Sequence, residues 1–238
     1  GAVHALSPAE ATHIESLLGN RVATYCVPQG PSTHVLRDVD RVGAKSGGDG
    51  FFRFVFVGRL DVYTKGLDIL LTAFAEAVKA VPGGRVELVL VGPDWKGGLE
   101  RLRRQAAELG CEERVRFTGA LAGHMVREVL AAADAYVQLS RHEGFPLSVV
   151  EALLLGKPAI LSSEIGTVSY PEVASSAHVR VVAPRADEAA AAMVEVVRMR
   201  DALVKEAQEG VAALRDLFSW ERVAGVHLEH YEHVVHRK

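Results

Sequence analysis

Ser140-Arg141-His142-Glu143-Gly144-Phe145-Pro146-Leu147-Ser148-Val149-Val150-Glu151-Ala152-Leu153-Leu154-Leu155-Gly156-Lys157-Pro158 is the stretch whose reading decides the fold. It follows an apolar run, Ala135-Tyr136-Val137-Gln138-Leu139, that reads as a buried strand. Gly144 and Pro146 turn the chain, and Pro146 is pre-set for a helix start. The helix is expected to reach about residue 155, where Gly156 and then Pro158 stop it. Strand, glycine turn and helix together aim free backbone N–H groups and a positive dipole end at an anion. Glu151 is the odd residue, because the helix is otherwise apolar nearly all round and should be buried. A carboxylate there is costly unless something pairs with it. A Glu in the first two turns gains about 0.3–1 kcal/mol from the dipole alone, so a plain helix-start role is the competing reading. Glu143 weighs against that. Two acids converging on one glycine-rich turn suit a polyhydroxyl ligand that carries phosphate.

Working outward, apolar runs over 51–57, 86–91, 114–117, 159–161 and 179–182 read as further strands. Helical stripes alternate with them over 67–78, 99–109 and 123–132, so the fold class is α/β with a parallel sheet. After the strand at 51–57 comes Gly58-Arg59-Leu60-Asp61-Val62-Tyr63-Thr64-Lys65-Gly66. Arg59 and Lys65 bracket this loop at the carboxyl end of a strand, where open α/β sheets bind ligands. A cation near the positive end of a helix is mildly unfavourable by itself. An anionic ligand accounts for both charges.

The ends of the chain read differently. Ser7 with Glu10 three residues on is a capping-box start for a helix to about residue 18, and a strand follows over 21–27. Pro28-Gln29-Gly30 breaks it, and residues 29–50 read as a linker that is most flexible at Ser46-Gly47-Gly48-Asp49-Gly50. Asp38-Val39-Asp40 has the form of a metal-binding D-x-D, but no apolar strand leads into it and Arg37 and Arg41 flank it. Gly48-x-Gly50 lacks the third glycine and the strand of a dinucleotide fingerprint. The last fifty residues are helical over 187–200 and 202–217, and Ser219 caps a final helix. His227, His230, His233 and His236 recur in it every three residues. At that spacing they drift around the helix and read as a polar face, not a metal stripe.

Composition excludes several classes. With 238 residues, 49% hydrophobic and 24% charged, the chain can bury one sizeable core. A net charge of −3 leaves no basic footprint for nucleic acid. No apolar run approaches the roughly 18 residues of a membrane span, and no segment reads as a signal peptide. Cys26 and Cys111 lack metal-ligand spacing and read as free thiols of a reducing, cytoplasmic compartment.

Glu143-Gly144-Phe145-Pro146-Leu147-Ser148-Val149-Val150-Glu151-Ala152 resembles the E-x7-E motif of retaining GT-B glycosyltransferases, specifically the GT4 group. Gly58-Arg59-Leu60 with Lys65-Gly66 resembles the same family's phosphate-binding pair, in family order and spacing. The resemblance implies a Rossmann-like domain with helices on both faces, the C-terminal half of a GT-B fold, plus C-terminal helices. It implies that 1–28 is the remnant of an acceptor-side domain, 29–50 the linker, 51–218 the nucleotide-sugar domain and 219–238 a helix crossing back. The donor is then a nucleoside diphosphate sugar, held without metal and without another cofactor. By resemblance Glu151 takes the ribose hydroxyls and Glu143 the sugar ring. Arg59 and Lys65 neutralise the diphosphate, backed by Gly58, by the loop backbone at Gly144, Phe145, Pro146 and Leu147, and by nearby Ser148. Base contacts would come from the loops after Gly92 and Gly119. The acceptor, a glycan, lipid or small molecule, would meet the missing domain, and the longer protein could sit peripherally on a membrane. Uncovered apolar surface on 1–28 and the last helix would favour self-association. Two other classes stay open, a GT-B epimerase or phosphorylase-like enzyme and a sugar-nucleotide-binding module without catalysis.

Overall fold

The computed structural model describes residues 2–19, 22–32, 50–81, 83 and 85–235. A small parallel pair comes first, β1 (Ala2–Ala5) and β2 (Ala23–Cys26), joined by α1 (Pro8–Leu18). Then follow β3 (Phe52–Val57), α2 (Leu67–Ala80), β4 (Val86–Val91), α3 (Gly98–Glu108), β5 (Val115–Gly119) and α4 (Gly123–Ala132). The chain continues through β6 (Ala135–Gln138), α5 (Leu147–Leu154), β7 (Ala159–Ser162), α6 (Pro171–Ala174) and β8 (Val179–Val182). It closes with α7 (Ala186–Arg198), α8 (Arg200–Leu217) and α9 (Trp220–Val235).

Six strands form one parallel sheet in the order β5-β4-β3-β6-β7-β8. Strand side chains alternate between its faces, and each face has its own core. Phe52, Phe54 and Phe56 of β3 pack with Leu70, Phe74, Leu102 and Met193 from α2, α3 and α7. Val55, Tyr136 and Leu161 face the other way, onto Val150, Leu153 and Leu214 from α5 and α8. Burying one such side chain contributes roughly 1.5–3 kcal/mol. Helices on both faces around a parallel sheet are what the continuous apolar strand runs require.

Polar groups lock the amino edge of this sheet. Asp134 is buried, accepting from the Arg53 N–H at 2.8 Å and from Arg200 at 2.6 Å. Lys157 is buried beside it and donates to the carbonyls of Ala131 and Ala133. Burial lowers its ammonium to about 8, against the opposing pull of Asp134.

The β1-α1-β2 unit docks on the second core. Tyr170 donates to the Leu6 carbonyl at 2.9 Å, with Cys26 Sγ 3.4 Å from its hydroxyl. Helix α9 lies across the same unit, where His230 stacks on Tyr25 at 4.2 Å and His4 meets His227 edge-on at 4.8 Å. So His227 and His230 pack against aromatic rings instead of forming a wholly solvated face; His233's side chain and His236 lie outside the described residues. Strand β1 is an addition to the sequence reading, because Ala-Val-His-Ala has no periodicity to announce it. The capping box is shifted by one residue. Ser7 accepts from the Glu10 N–H as expected, but the Glu10 carboxylate takes the Leu6 N–H at 2.7 Å. Asp38-x-Asp40 and all of the linker from 33 to 49 lie outside the described residues. No described helix is long and apolar enough to cross a membrane.

His178, just before β8, is buried, and no described group bonds its Nε2. Burial, then the charge of Arg180, lowers its pKa from 6.5 to about 4. The unfolded chain therefore takes up this proton first as pH falls, so the stability present above 6.5 is lost toward about 4. Urea unfolding at pH 7 and pH 5 should show that loss, and His178→Leu should shrink it. An identical loss in parent and variant would assign the effect to other groups.

Candidate functional site

The strand order reverses between β3 and β6. From β3 the chain leads out to β4 and β5, and it returns to place β6 on the other side. The loops leaving the carboxyl ends of these two neighbours diverge, which opens a crevice of the kind that binds ligands in α/β sheets.

The first loop is tightly wound. Gly58 donates to the Val91 carbonyl, Asp61 Oδ1 accepts from the Thr64 N–H at 3.1 Å, and Lys65 N–H reaches the Asp61 carbonyl at 3.0 Å. Gly66 then starts α2 with φ 62°, and a Cβ there would fall 2.0 Å from the Leu139 carbonyl oxygen. Only glycine lets this loop press against the end of β6. The second loop is pinned from the opposite side. Gly166 N–H donates to the Glu143 carbonyl at 2.8 Å, and Glu143 bridges to Ile165 in parallel register. A Cβ on Gly166 would fall 2.0 Å from the Gly144 carbonyl oxygen. Phe145 turns its ring into an edge-on cluster with Tyr170 and Phe218, so its side chain packs the fold. Buried Pro146 precedes α5, and no side chain caps that helix start.

Lys65 and Glu143 meet. Their side chains form an ion pair across the two loops, with 15% and 19% of each exposed. Gln138 Nε2 donates to Glu143 Oε2 at 3.4 Å and to Ser140 Oγ at 3.0 Å. Gln138 in turn accepts from the Tyr136 hydroxyl at 2.6 Å, which lies 2.9 Å from Ser148 Oγ. A buried polar row thus runs beneath the crevice from Ser148 at the start of α5 to the Glu143 carboxylate. Burial drives the Tyr136 hydroxyl well above its usual range, and the charges of Glu143 and Glu151 add to that. The row itself was missed, although polar Gln138 and Ser140, two residues apart at the buried carboxyl end of β6, are its signal.

Glu151 lies on α5, and Ser32 Oγ stands 3.4 Å from its Oε1, from the segment after β2. Burial raises its carboxyl above the usual range, while Ser32 and the charge of Arg127 oppose the rise. Arg59 is exposed, and its guanidinium lies 4.2 Å over the Trp95 ring. Trp95 belongs to the loop after Gly92, where Asp94 caps α3 by accepting from Leu99 and Gly97. Leu147 opens α5 half-buried. Among the described residues no group of three His, Cys, Asp or Glu side chains is placed to hold a metal.

A family model described as Glycosyl transferases group 1 matches residues 52–199. The D-inositol 3-phosphate glycosyltransferase of Nocardia farcinica is 31% identical over 229 residues, covering 93% of this chain and 50% of that protein. The chain thus spans about half the length of that relative. Sucrose-phosphate synthase from Thermosynechococcus elongatus superposes with a TM-score of 0.80 at 24% identity, over 100% of this chain and 59% of its own. Anabaena HepE in complex with UDP and glucose gives 0.79 at 23%, over 97% and 62%. At these identities the structures establish a shared fold.

The raised carboxyl of Glu151 yields a stability test. Protons bind the folded chain more readily here than the unfolded one, so stability is lost as pH rises from 4.5 through the raised folded value. Glu151→Gln should therefore be more stable than the parent at pH 7, and the gap should close near pH 4. Chemical denaturation at both pH values checks this, and a variant less stable at pH 7 would show that the charge is well compensated.

Proposed function

The chain belongs to the group 1 glycosyl transferases, and from that premise we propose that it is the donor-binding half of a retaining, metal-independent glycosyltransferase acting on a nucleoside diphosphate sugar. The observation that carries the reading is the Lys65–Glu143 pair set in the crevice where the strand order reverses. It presents one cation and one anion side by side, and a sugar diphosphate offers the complement to each. Lys65, with Arg59 and the N–H groups that start α5 at Leu147 and Ser148, meets the diphosphate. Glu143 meets the sugar hydroxyls. Glu151 takes the ribose, and Ser32 already offers it a hydroxyl of the kind a ribose would supply.

Transfer breaks the bond between the anomeric carbon and the distal phosphate oxygen, and negative charge gathers on the leaving diphosphate. Preorganised cations and N–H dipoles stabilise charge where it develops. On this reading Lys65 and Arg59 take that role without a metal. The backbone of Gly58, Gly144, Phe145 and Pro146 frames the ligand. Residues 1–28 and 219–238 are read as the acceptor-side remnant and the crossing helix, consistent with the packing of α9 on Tyr25. The acceptor, a glycan, lipid or small molecule, meets the other half of the longer protein. That protein works in the cytoplasm, peripherally at a membrane where the acceptor is a lipid.

Calorimetric titration with UDP and GDP tests this. One of them should bind equally with and without chelator, and binding abolished by chelator would overturn metal independence. Glu151→Gln should weaken that nucleotide about tenfold to a hundredfold, the worth of charge-assisted bonds of about 1.5–3 kcal/mol. Glu143→Gln should spare the bare diphosphate and weaken the intact sugar donor. Equal affinity of parent and Glu151→Gln would return Glu151 to a helix-start role.

A further inference from the structure

Lys65 and Glu143 come from different loops, so their meeting depends on whatever keeps those loops in register. Arg141, two residues before Glu143, spans the gap. Its backbone N–H donates to the Thr64 carbonyl at 3.0 Å, and its Nη1 donates to the Tyr63 carbonyl at 2.8 Å. The guanidinium also forks onto Asp68, Nη1 to Oδ1 at 2.8 Å and Nη2 to Oδ2 at 2.7 Å, and lies 4.6 Å over the Tyr63 ring. Residues 63, 64 and 68 bracket Lys65. Asp68 is itself anchored, because its carbonyl accepts from Thr72 Oγ1 at 3.0 Å and from Gln105 of α3 at 2.9 Å.

The side chains of Arg141 and Asp68 are 23% and 37% exposed. Ion pairs this open to water add little to global stability. A bidentate fork fixes direction as well as distance, and what it fixes here is the loop that carries Lys65. We propose that Arg141 is a positioning residue that, through Asp68 and the Tyr63–Thr64 backbone, holds the Lys65 ammonium opposite Glu143 for the donor diphosphate. It touches no substrate. The inference rests on reading that pair as the diphosphate site.

The test uses the full chain with Arg141→Ala, Arg141→Lys and Asp68→Asn. Calorimetry measures whichever of UDP or GDP binds the parent, and ligand-observed NMR measures the matching nucleoside, uridine or guanosine. All three variants should bind the diphosphate about tenfold more weakly or worse, the scale of a small misplacement in a binding site, while nucleoside affinity holds. Lysine should not rescue, since it keeps the charge and loses the fork. Unchanged diphosphate affinity, equal weakening of nucleoside and diphosphate, or full recovery in Arg141→Lys each overturns the inference. Should Arg141→Ala fail to fold, Arg141→Lys and Asp68→Asn decide. A parent that binds neither diphosphate overturns the functional reading and the inference with it, whereas a binding parent with indifferent variants overturns the inference alone.

Discussion

The reversal of strand order between β3 and β6 is the constraint from which the rest of this molecule follows. Neighbouring parallel strands whose chains leave in opposite directions cannot close their carboxyl ends with one connection. A crevice remains, and its two walls are independent loops. Gly66 and Gly166 bring those walls close to their supports, since a side chain at either position would strike a carbonyl oxygen at 2.0 Å. The ion pair of Lys65 with Glu143 then spans the gap. Removing one partner would leave a partly buried charge uncompensated, which costs more than the pair itself contributes.

Beneath that pair the fold accepts a polar row in the middle of an apolar sheet. Tyr136, Gln138 and Ser140 are all buried, yet each finds a partner. Satisfied networks of this kind orient their members, while a half-satisfied one would be a liability. The row ends on Glu143 at one side and on Ser148, at the start of α5, on the other. It therefore ties the acid to the helix whose N-terminus the functional reading gives to phosphate. On α5, burial raises the Glu151 carboxyl while Ser32, with its Oγ at 3.4 Å, and Arg127 oppose the rise.

Much of this was legible in the chain. Largely apolar runs announced all six strands of the main sheet to within a residue or two, because most of their side chains pack into the cores on the two faces of the sheet. The helix from Leu147 to Leu154 and its carboxylate were plain from one odd residue in an apolar stretch. The pieces that escaped share a physical reason. Arg141 and Asp68 stand 73 positions apart, and Ser32 and Glu151 stand 119 apart. Such pairs exist only once the topology has brought their loops together. Strand β1 escaped for another reason, being only four residues long, with its order set by pairing with β2.

The central claim is that the crevice between β3 and β6 holds a nucleoside diphosphate between Lys65 and the start of α5. A crystal structure of this chain grown with UDP or GDP tests it most directly. The account predicts diphosphate density over the first turn of α5, with the Lys65 ammonium moved from Glu143 onto a phosphate oxygen and Glu151 on the ribose. Nucleotide bound at the amino edge of the sheet, or in the crevice with Lys65 still turned to Glu143, would contradict it.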